Sequence, residues 1–417
     1  MMPGGILVGD HVRQALANQC PVVALESTVI THGLPEPQNL ELALRLEHEI
    51  RSGQWWSSAC DGANPMAGQV VPATVGIVRG RPIVGLSEQE LAYLARLAHS
   101  RPVKCSRRDL ALVRALGLSA GTTVAGTLAI VRALGPMGAR RNSLRVFATG
   151  GLGGVHLGGQ DSMDVSADLY ELGAPGDGRA TRSLAVVSSG FKSFLDTRRS
   201  LELLESLGVT VASLGQGESL HQASREPSPS GRRGLDLERR RSHLFPGFFS
   251  AHNKQLVKSP WQCSDVREAA QVLAHCLGAV DWSSRREFAG ESCGGSKSGP
   301  AATMDSGQQQ RCMLLACPIP RAFDVAASEA HQYEAALGAI SESIDQRLDL
   351  NGHEKTPLIL AELSRRTGGA TLRANLELLA NNARVGAHLA YELARELGAG
   401  AGRPAACEAP GDRPSGE

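Results

Sequence analysis

Six glycines within ten residues precede Asp164 and Asp168 in the middle of the chain, in the segment FATGGLGGVHLGGQDSMDVSAD (residues 147–168). Glycine lets backbone N–H groups approach a ligand without a Cβ in the way, and a glycine-rich turn after a strand commonly cradles phosphate. Asp164, Ser166 and Asp168 share one face of an extended backbone, whereas only the two aspartates share a face of a helix. These side chains therefore indicate a ligand or metal site, and a plain tight connection is the alternative.

Glu26 follows residues 21–25, a short apolar segment with the pattern of a buried strand. Open α/β sheets bind their ligands at the ends of their strands, and a carboxylate beside the hydroxyls of Ser27 and Thr28 suits that position. A carboxylate that caps a helix or forms a salt bridge is the alternative for this segment taken alone.

Two lysines stand at element boundaries, where an amine could act as a nucleophile or bind an anion. Lys192 follows the apolar run LAVV (residues 184–187) and a Ser–Gly turn. Partial burial beside Phe191 and Phe194 would leave its amine unprotonated part of the time, as a Schiff-base lysine requires. Lys104 precedes a predicted helix. A solvent-exposed lysine is the alternative at both positions.

The elements that must position these residues alternate between strand and helix. Strand patterns lie at residues 21–25, 71–86 (two strands joined at Arg79 and Gly80), 144–148, 184–187, 209–214 and 313–320. Helices are predicted after Pro37, from the N-cap Ser87, and at 108–116, 128–134, 199–207, 265–277, 329–347, 357–367 and 372–397. This alternation predicts a layered α/β fold.

Composition restricts the partners of the chain. Its 417 residues are 42% hydrophobic, which suits one large or two ordinary globular domains. A net charge of +1 and 4% aromatic residues argue against a nucleic-acid surface, and no apolar run reaches the length of a membrane span. The nine cysteines form no CxxC pair, and residues 1–20 lack a signal-peptide core, so reduced thiols and a cytoplasmic location are expected, with organelle import left open.

Three segments interrupt this pattern with low-complexity sequence. Residues 55–68, 222–242 and 282–310 are predicted to be inserted loops, of which the last two are expected to be mobile. Residues 398–417 are rich in Gly, Ala and Pro and are predicted to be a disordered tail. The remaining chain is interpreted as one domain over residues 1–397.

Ten motifs follow one another between about residues 5 and 397: VALESTVITHGLPEPQNL, VPATVGIV, VKCSRRDLA, GTTVAGT, FATGGLGGVH, DVSADL, GFKSFLD, FPGFFS, PIP and TGGATLRANLELLANNA. In composition and order they resemble the pseudouridine-5′-phosphate glycosidases, also called the indigoidine synthase A-like family. The resemblance implies an α/β/α fold in which helices flank a central, mostly parallel sheet. It also implies a homotrimer that takes a small-molecule substrate.

The activity that the resemblance implies is the reversible cleavage of the C–C glycosidic bond of pseudouridine 5′-phosphate, which gives ribose 5-phosphate and uracil. Such an enzyme is a lyase with glycosidase activity. A C-glycosidic bond has no heteroatom leaving group, so the chemistry requires a lysine that forms an imine with the opened ribose and an acid at the ribose oxygen.

The resemblance also implies roles for individual residues. Glu26 would be the proton donor, and Lys192 would be the nucleophile that forms the imine with C1′. Asp164 would hold a divalent ion, manganese in the family, with waters at most positions. The substrate would be bound by Lys104, Val124, Ser166, Ala167 and Asp168. His156 would lie near this cluster.

Some residues depart from the family pattern. Cys317 stands where the family has asparagine before Pro-Ile-Pro, and cysteine is a poor hydrogen-bonding group, so a contact to uracil or ribose would be lost. Leu157 stands where the family has a basic residue, and residues 176–182 are additional. The alternative function is therefore a catalytically weakened homologue that keeps the fold for a binding or oligomeric role.

Overall fold

This is a computed structural model of the protein. It describes residues 5–53, 69–100, 102–134, 144–175, 183–215, 243–251, 255–277, 312–325, 333, 335–336, 339–340 and 352–398. The predicted inserts at 55–68, 222–242 and 282–310, the additional residues 176–182, most of the predicted helix 329–347 and the tail after residue 398 lie outside the described residues.

A mostly parallel sheet forms the centre of the described part of the molecule. The described strands are β1 (Leu7–Val8), β2 (Val22–Leu25), β3 (Val71–Val78), β4 (Arg81–Val84), β5 (Val103–Cys105), β6 (Ala120–Thr122), β7 (Val146–Ala148), β8 (Val155–His156), β9 (Ala185–Ser188), β10 (Leu195–Asp196), β11 (Thr210–Leu214), β12 (Gln262–Cys263) and β13 (Met313–Ala316). Strands β8 and β10 pair with each other in a separate antiparallel sheet. The main order is β1-β4-β3-β2-β7-β9-β13-β11-β12, with β6 paired to β3 and β5. From β3 to β12 every pair in this order is parallel.

Helices flank this sheet on both sides. The described helices are α1 (Asp10–Ala17), α2 (Thr28–His32), α3 (Gln38–Ser52), α4 (Glu88–Leu97), α5 (Leu110–Ala115), α6 (Val124–Ala133), α7 (Gly159–Ser162), α8 (Ala167–Gly173), α9 (Thr197–Ser206), α10 (Val266–Cys276), α11 (Gly352–Arg366) and α12 (Ala370–Glu396). Helix α12 packs on β2, β7 and β9 between α3 and α10, whereas α8 packs between α6 and α9. The predicted layered α/β/α fold is confirmed.

The central strands are apolar along their whole length because helices cover both faces of the sheet. All four residues of β2, β9 and β13 are buried. The apolar residues Ala43, Leu46 and Ile50 of α3 are buried, whereas Arg51 in its last turn is exposed. Helix α4 begins at Ser87 with a capping box in which Ser87 and Glu90 bond to each other's backbone N–H.

Several helices begin at residues other than those predicted, and the helix expected at 357–367 already starts at Gly352. The helix expected at 128–134 starts at Val124, because the Thr123 hydroxyl accepts the Gly126 N–H and caps it. The helix expected at 108–116 is preceded by a 3-10 turn, Arg107–Asp109, and runs only from Leu110 to Ala115. A hydroxyl cap thus fixes the first start, whereas at the second the Asp109 carboxylate accepts the Ser106 N–H at 2.9 Å.

The chain changes direction across the sheet at β2. It leaves β2 for β3 on one side and later returns to place β7 on the other side. In open α/β sheets the carboxyl ends of the strands at such a switch point form the ligand-binding crevice. Glu26 follows β2 there, and Thr149 follows β7.

The cysteines only partly match the expectation from the sequence. Cys105, Cys263, Cys276, Cys312 and Cys317 are free thiols. Cys20, by contrast, is disulfide-bonded, so the expectation of reduced thiols is wrong at this residue. Among the described helices, none combines the length and the apolar composition of a membrane span. The cytoplasmic location stays a prediction.

Candidate active site

Four charged side chains from different elements meet at the carboxyl ends of the central strands. Glu26 follows β2, Lys104 lies in β5, Asp168 is in the first turn of α8, and Lys192 follows β9. The charges of Lys192, Asp168 and Lys104 all act on Glu26. We call these four residues the charged cluster. The structure thus brings together four residues that are far apart in sequence.

Glu26 is half-buried, and its environment raises the pKa of its carboxyl. Burial raises the pKa of its carboxyl above the ordinary value, and this effect outweighs the hydrogen bond from Thr149 and the charge of Lys192, which lower it. The Thr149 hydroxyl donates to Oε1 of Glu26. Its hydrogen-bond partner is a hydroxyl rather than a helix end. The raised pKa keeps the carboxyl protonated to higher pH than an ordinary glutamate, as a proton donor requires.

The amine of Lys104 has a lowered pKa. Burial and the nearby charge of Lys192 lower its pKa to about 8, although Glu26 and Asp168 raise it in part. Its side chain is half-buried in β5. The alternative of an ordinary solvent-exposed lysine is therefore wrong at this position.

Lys192 lies in a turn whose backbone is fixed on both sides. Its N–H donates to the C=O of Leu152 at 3.1 Å, and its C=O accepts the N–H of Leu195 at 3.0 Å. Gly190 precedes it with a φ of 72°, a conformation that glycine adopts without strain. Its neighbour Phe191 is buried and stacks on Phe245 with 5.6 Å between ring centroids. Lys192 itself is half-buried, as the sequence predicts.

Asp168 joins three segments of the site. Its Oδ1 accepts the N–H of Ala125 at 3.0 Å, and its Oδ2 accepts the N–H of Gly153 at 2.9 Å. Both oxygens of this buried carboxylate thus hold backbone groups, so Asp168 ties the start of α6 to the glycine segment. Ser166 caps α8 by accepting the N–H of Asp168, and the buried side chain of Val124 opens α6.

The glycine stretch, residues 150–154, is a tightly packed connection. The N–H groups of Leu152 and Gly153 donate to Gly190 and Asp168 within the protein. A Cβ on Gly151 would overlap the ring of Phe248, and a Cβ on Gly153 would overlap Ser166. Close packing thus explains these two glycines, and the structure supports the tight-connection alternative over a phosphate cradle built from these two N–H groups.

Asp164 has different neighbours from Asp168. Its Oδ2 lies 3.9 Å from Nδ1 of His156, and its side chain is 28% exposed. Ala167, between the two aspartates, is exposed. No group of three His, Cys, Asp or Glu side chains that could hold a metal ion occurs among the described residues. One half-exposed carboxylate fits a hard divalent ion that keeps most of its waters, and it does not fit a structural zinc ion.

Several polar groups near the charged cluster were not predicted from the sequence. Thr149, the hydroxyl partner of Glu26, and Asn382, a fully buried amide in α12 that contacts Thr149, were not among the predicted site residues. Two features of the sequence could have indicated them: a hydroxyl directly after a strand, and an amide among the apolar positions of a helix. The hydroxyls of Thr28, Ser188 and Ser193 are buried without a hydrogen-bond partner within the described part of the chain.

Cys317 lies directly after β13 and is fully buried. Burial raises the pKa of its thiol, and its Sγ lies 3.9 Å from the C=O of Leu315. The thiol is thus a protonated, weakly bonded group enclosed by protein.

Comparison with known proteins gives one family. The model of the family described as indigoidine synthase A like protein matches residues 11–280 and 297–392. Pseudouridine-5′-phosphate glycosidase 2 of Photorhabdus laumondii is 35% identical over 92% of this chain and 94% of its own. The pseudouridine-5′-phosphate glycosidase of Caldanaerobacter subterraneus is 34% identical over 93% of this chain and 96% of its own. A pseudouridine-metabolizing bifunctional protein of Schizosaccharomyces pombe is 36% identical over 93% of this chain, which spans only 40% of that protein.

Two solved structures share the fold. The prealnumycin C-glycosynthase AlnA, solved in complex with ribulose 5-phosphate, is 26% identical with a TM-score of 0.65, and the match covers 95% of this chain and 99% of that chain. An indigoidine synthase A-like protein from Thermotoga maritima is 25% identical with a TM-score of 0.63, over 93% of this chain and 97% of that chain.

Proposed function

The chain belongs to the indigoidine synthase A-like family, and we propose that it is a pseudouridine-5′-phosphate glycosidase that works through a lysine imine. It cleaves the C–C glycosidic bond of pseudouridine 5′-phosphate to ribose 5-phosphate and uracil, reversibly. The observation that carries this proposal is the charged cluster: an acid that favours its protonated form lies within electrostatic range of two lysines, at the switch point of the sheet.

In the proposed reaction, Glu26 donates its proton to the ribose ring oxygen as the ring opens. The neutral amine of Lys192 forms a bond to C1′ of the opened sugar. The nitrogen then forms a double bond to C1′, and the electron pair of the C–C bond leaves with uracil, which takes up a proton. Water hydrolyses the remaining imine, releases ribose 5-phosphate and restores the lysine.

Lys104 is proposed to bind the phosphate or the ribose oxygens. Because its pKa is about 8, most of the amine is protonated at pH 7 and can pair with an anion. The buried hydroxyls of Thr28 and Ser193, each within two residues of Glu26 or Lys192, offer further donors for a polyhydroxylated substrate. Val124, Ser166, Ala167 and Asp168 complete the proposed substrate contacts.

A divalent ion, manganese in the proposal, would be held by Asp164 with water at its other positions. When bound, it supplies positive charge that stabilises anionic oxygens of the substrate. The Asp164→Ala variant should fold normally, by circular dichroism, and lose both manganese dependence and most activity. Equal activity of the unmodified protein with and without a chelator would contradict the proposal.

A homotrimer is the proposed assembly. Leu112 in α5 and Leu116 directly after it are 59% and 61% exposed, and they offer apolar surface for contacts between copies. Light scattering at micromolar protein should give three times the monomer mass of 43.9 kDa. A monomer mass would contradict a trimer.

The function is tested by incubating the full chain with pseudouridine 5′-phosphate and manganese and by following uracil and ribose 5-phosphate together. Equal amounts of both products are expected, with much less from unphosphorylated pseudouridine. A Glu26→Gln protein prepared in parallel controls for contaminating enzymes. A folded protein that releases no uracil would favour the alternative, a catalytically weakened homologue, and repeating the assay with Cys317→Asn would then show whether Cys317 is the cause.

A further inference from the structure

Asn382 bridges two segments of the site from the middle of α12. Its side chain is fully buried, and its Nδ2 donates to the C=O of Thr149 at 2.8 Å and to the C=O of Gly150 at 3.2 Å. The same nitrogen lies 3.2 Å from the Ser189 hydroxyl, which lies 3.4 Å from Oδ1. One amide thus holds the residue after β7 and the residue after β9.

The two segments carry the acid and the amine of the proposed reaction. Thr149 donates its hydroxyl to Glu26, and Ser189 begins the turn that leads to Lys192. Beyond the ends of β7 and β9 the segments stay paired by backbone hydrogen bonds from Thr149 to Val187, from Ser189 to Gly150, from Leu152 to Gly190 and from Lys192 to Leu152. Asn382 bonds to this pairing at the point where the strands end.

Helix α12 cannot shift easily relative to these segments. One turn after Asn382, a Cβ on Gly386 would lie 3.1 Å from the Cβ of Ala148, the last residue of β7. The helix backbone therefore approaches the sheet closely, and the position of the amide is set by packing.

We infer that Asn382 is a positioning residue that fixes Glu26 and Lys192 relative to each other, through Thr149 and Ser189. The inference rests on the proposed function, because it assigns Glu26 the role of acid and Lys192 that of nucleophile. Asn382 does not touch the reacting atoms; it acts through the two segments that it holds.

Loss of this amide has a consequence for the acid. The Thr149 hydroxyl donates to the carboxylate form of Glu26 and so lowers a pKa that burial raises. When the C=O of Thr149 loses its donor and the residue moves, this hydrogen bond weakens and the pKa of Glu26 rises further. The charges of Asp168 and Lys104, which also face Glu26, lie on segments that Asn382 does not hold. The charge of Lys192 lowers the pKa of Glu26, so a displaced Lys192 shifts that pKa in the same upward direction. The alkaline limb of the activity profile, where the acid loses its proton, then moves to higher pH.

The test compares Asn382→Leu with Asn381→Leu in the full-length protein. The two changes are the same, the residues are adjacent in α12, and the half-buried Asn381 takes part in none of the hydrogen bonds above. We expect Asn382→Leu to lower kcat for uracil release by about 10- to 100-fold, with a smaller change in KM, because misplaced reacting groups slow the reaction more than they weaken binding. Its alkaline limb should shift upward, while Asn381→Leu keeps the limb of the unmodified protein.

Thr149→Val and the double variant show whether the effect passes through Thr149. Thr149→Val should shift the alkaline limb in the same direction, and adding Asn382→Leu to it should shift the limb by less than Asn382→Leu does alone. If Asn382→Leu does not fold, Asn382→Asp, which keeps the size and the acceptor but loses the donor, replaces it in the comparison. The inference would be overturned if Asn382→Leu had the same kcat and the same alkaline limb of the pH profile as Asn381→Leu, even if its Tm were lower. Failure of the unmodified protein to release uracil would instead reject the proposed function.

Discussion

Two groups in this molecule each contain two acidic and two basic side chains, and their pKa values shift in opposite directions. The charged cluster lies at the strand ends. The second group, which we call the ion-pair cluster, consists of Arg45, Glu49, Glu377 and Arg384 and joins α3 to α12. There, Arg384 donates to both carboxylate oxygens of Glu49 at 2.8 Å, and Arg45 lies 2.8 Å from Glu377.

The pKa shifts have opposite signs in the two clusters. Burial would raise the pKa of Glu49, but the hydrogen bonds and charge of Arg384 outweigh it and lower that pKa, so the charged form is favoured. In the charged cluster burial prevails, because it raises the pKa of Glu26 and lowers the pKa of Lys104. Bidentate pairing therefore serves the fold, whereas burial that outweighs neighbouring charges leaves groups ready to exchange protons.

The largest expected effect follows the replacement of the proposed nucleophile. Lys192→Arg keeps the charge but cannot form an imine, so turnover should fall on the order of 10⁴-fold while the protein folds. Lys258→Arg, at an exposed lysine, is the matched control. Borohydride added during turnover should attach ribose 5-phosphate to Lys192, as mass spectrometry of peptides would show.

An adduct on Lys104 would instead move the nucleophile to the lysine whose pKa is lowered to about 8. A near-normal rate for Lys192→Arg would have the same meaning. Either outcome would break the assignment of roles within the charged cluster and leave the family assignment untouched.

The next effect contrasts the two glutamates. Glu26→Gln should lower kcat by about 10²- to 10⁴-fold, because the proton donor is lost. The unmodified enzyme should lose activity as the pH rises through the raised pKa of Glu26, and the variant should lack this alkaline limb. Glu49→Gln should keep kcat and its pH profile. A similar loss of kcat in both variants would remove the distinction between the clusters.

Lys104→Met should lower the activity of the protein and raise its stability. The amine has a pKa of about 8 in the folded protein and 10.5 ordinarily, so the unfolded chain binds the proton more tightly and folding carries a cost below pH 8. The variant should therefore be more stable at pH 7 by on the order of 1–3 kcal/mol, with the difference closing as the pH rises from 8 toward 10.5. Denaturant titration measures this, and a destabilised variant at pH 7 would contradict it. Its KM should rise.

Arg384→Met should have the opposite and smallest effect. It leaves Glu49, whose side chain is 12% exposed, without its bidentate partner, so stability should fall by about 1–3 kcal/mol. The free energy of unfolding in urea and the kcat of uracil release should be measured on the same preparation. We expect kcat to stay within about twofold, since Arg384 and Glu49 pair with each other and act on neither Glu26 nor Lys104.

The sequence predicted the alternation of strands and helices, because apolar periodicity is a local property. It also predicted Glu26, Lys104 and Lys192 as site candidates, since each stands at a boundary of an element. It did not predict the Thr149–Glu26 hydrogen bond or the Asn382–Thr149 hydrogen bond, which join residues 123 and 233 positions apart. Such pairs depend on tertiary packing, for which a single sequence carries no local signal.

Asp168 and the glycine stretch show a second limit of the same kind. Residue types placed a carboxylate beside glycines, which suggested a ligand cradle. In the structure both oxygens of Asp168 accept hydrogen bonds from backbone N–H groups, and the ring of Phe248 packs against Gly151. Whether such groups face a ligand or the protein depends on side-chain direction, which spacing alone leaves open.

The switch point between β2 and β7 divides the proposed catalytic groups between two halves of the chain. The acid arrives with the first half and the proposed nucleophile with the second, and they meet only where the parallel pairing of β2 with β7 is intact. A sugar phosphate that contacts the acid and the proposed nucleophile together would link the two halves of the chain. Binding of the ligand would therefore stabilise the association of the two halves. Two fragments, produced by dividing the chain between α6 and β7, should bind each other more tightly in the presence of ribose 5-phosphate.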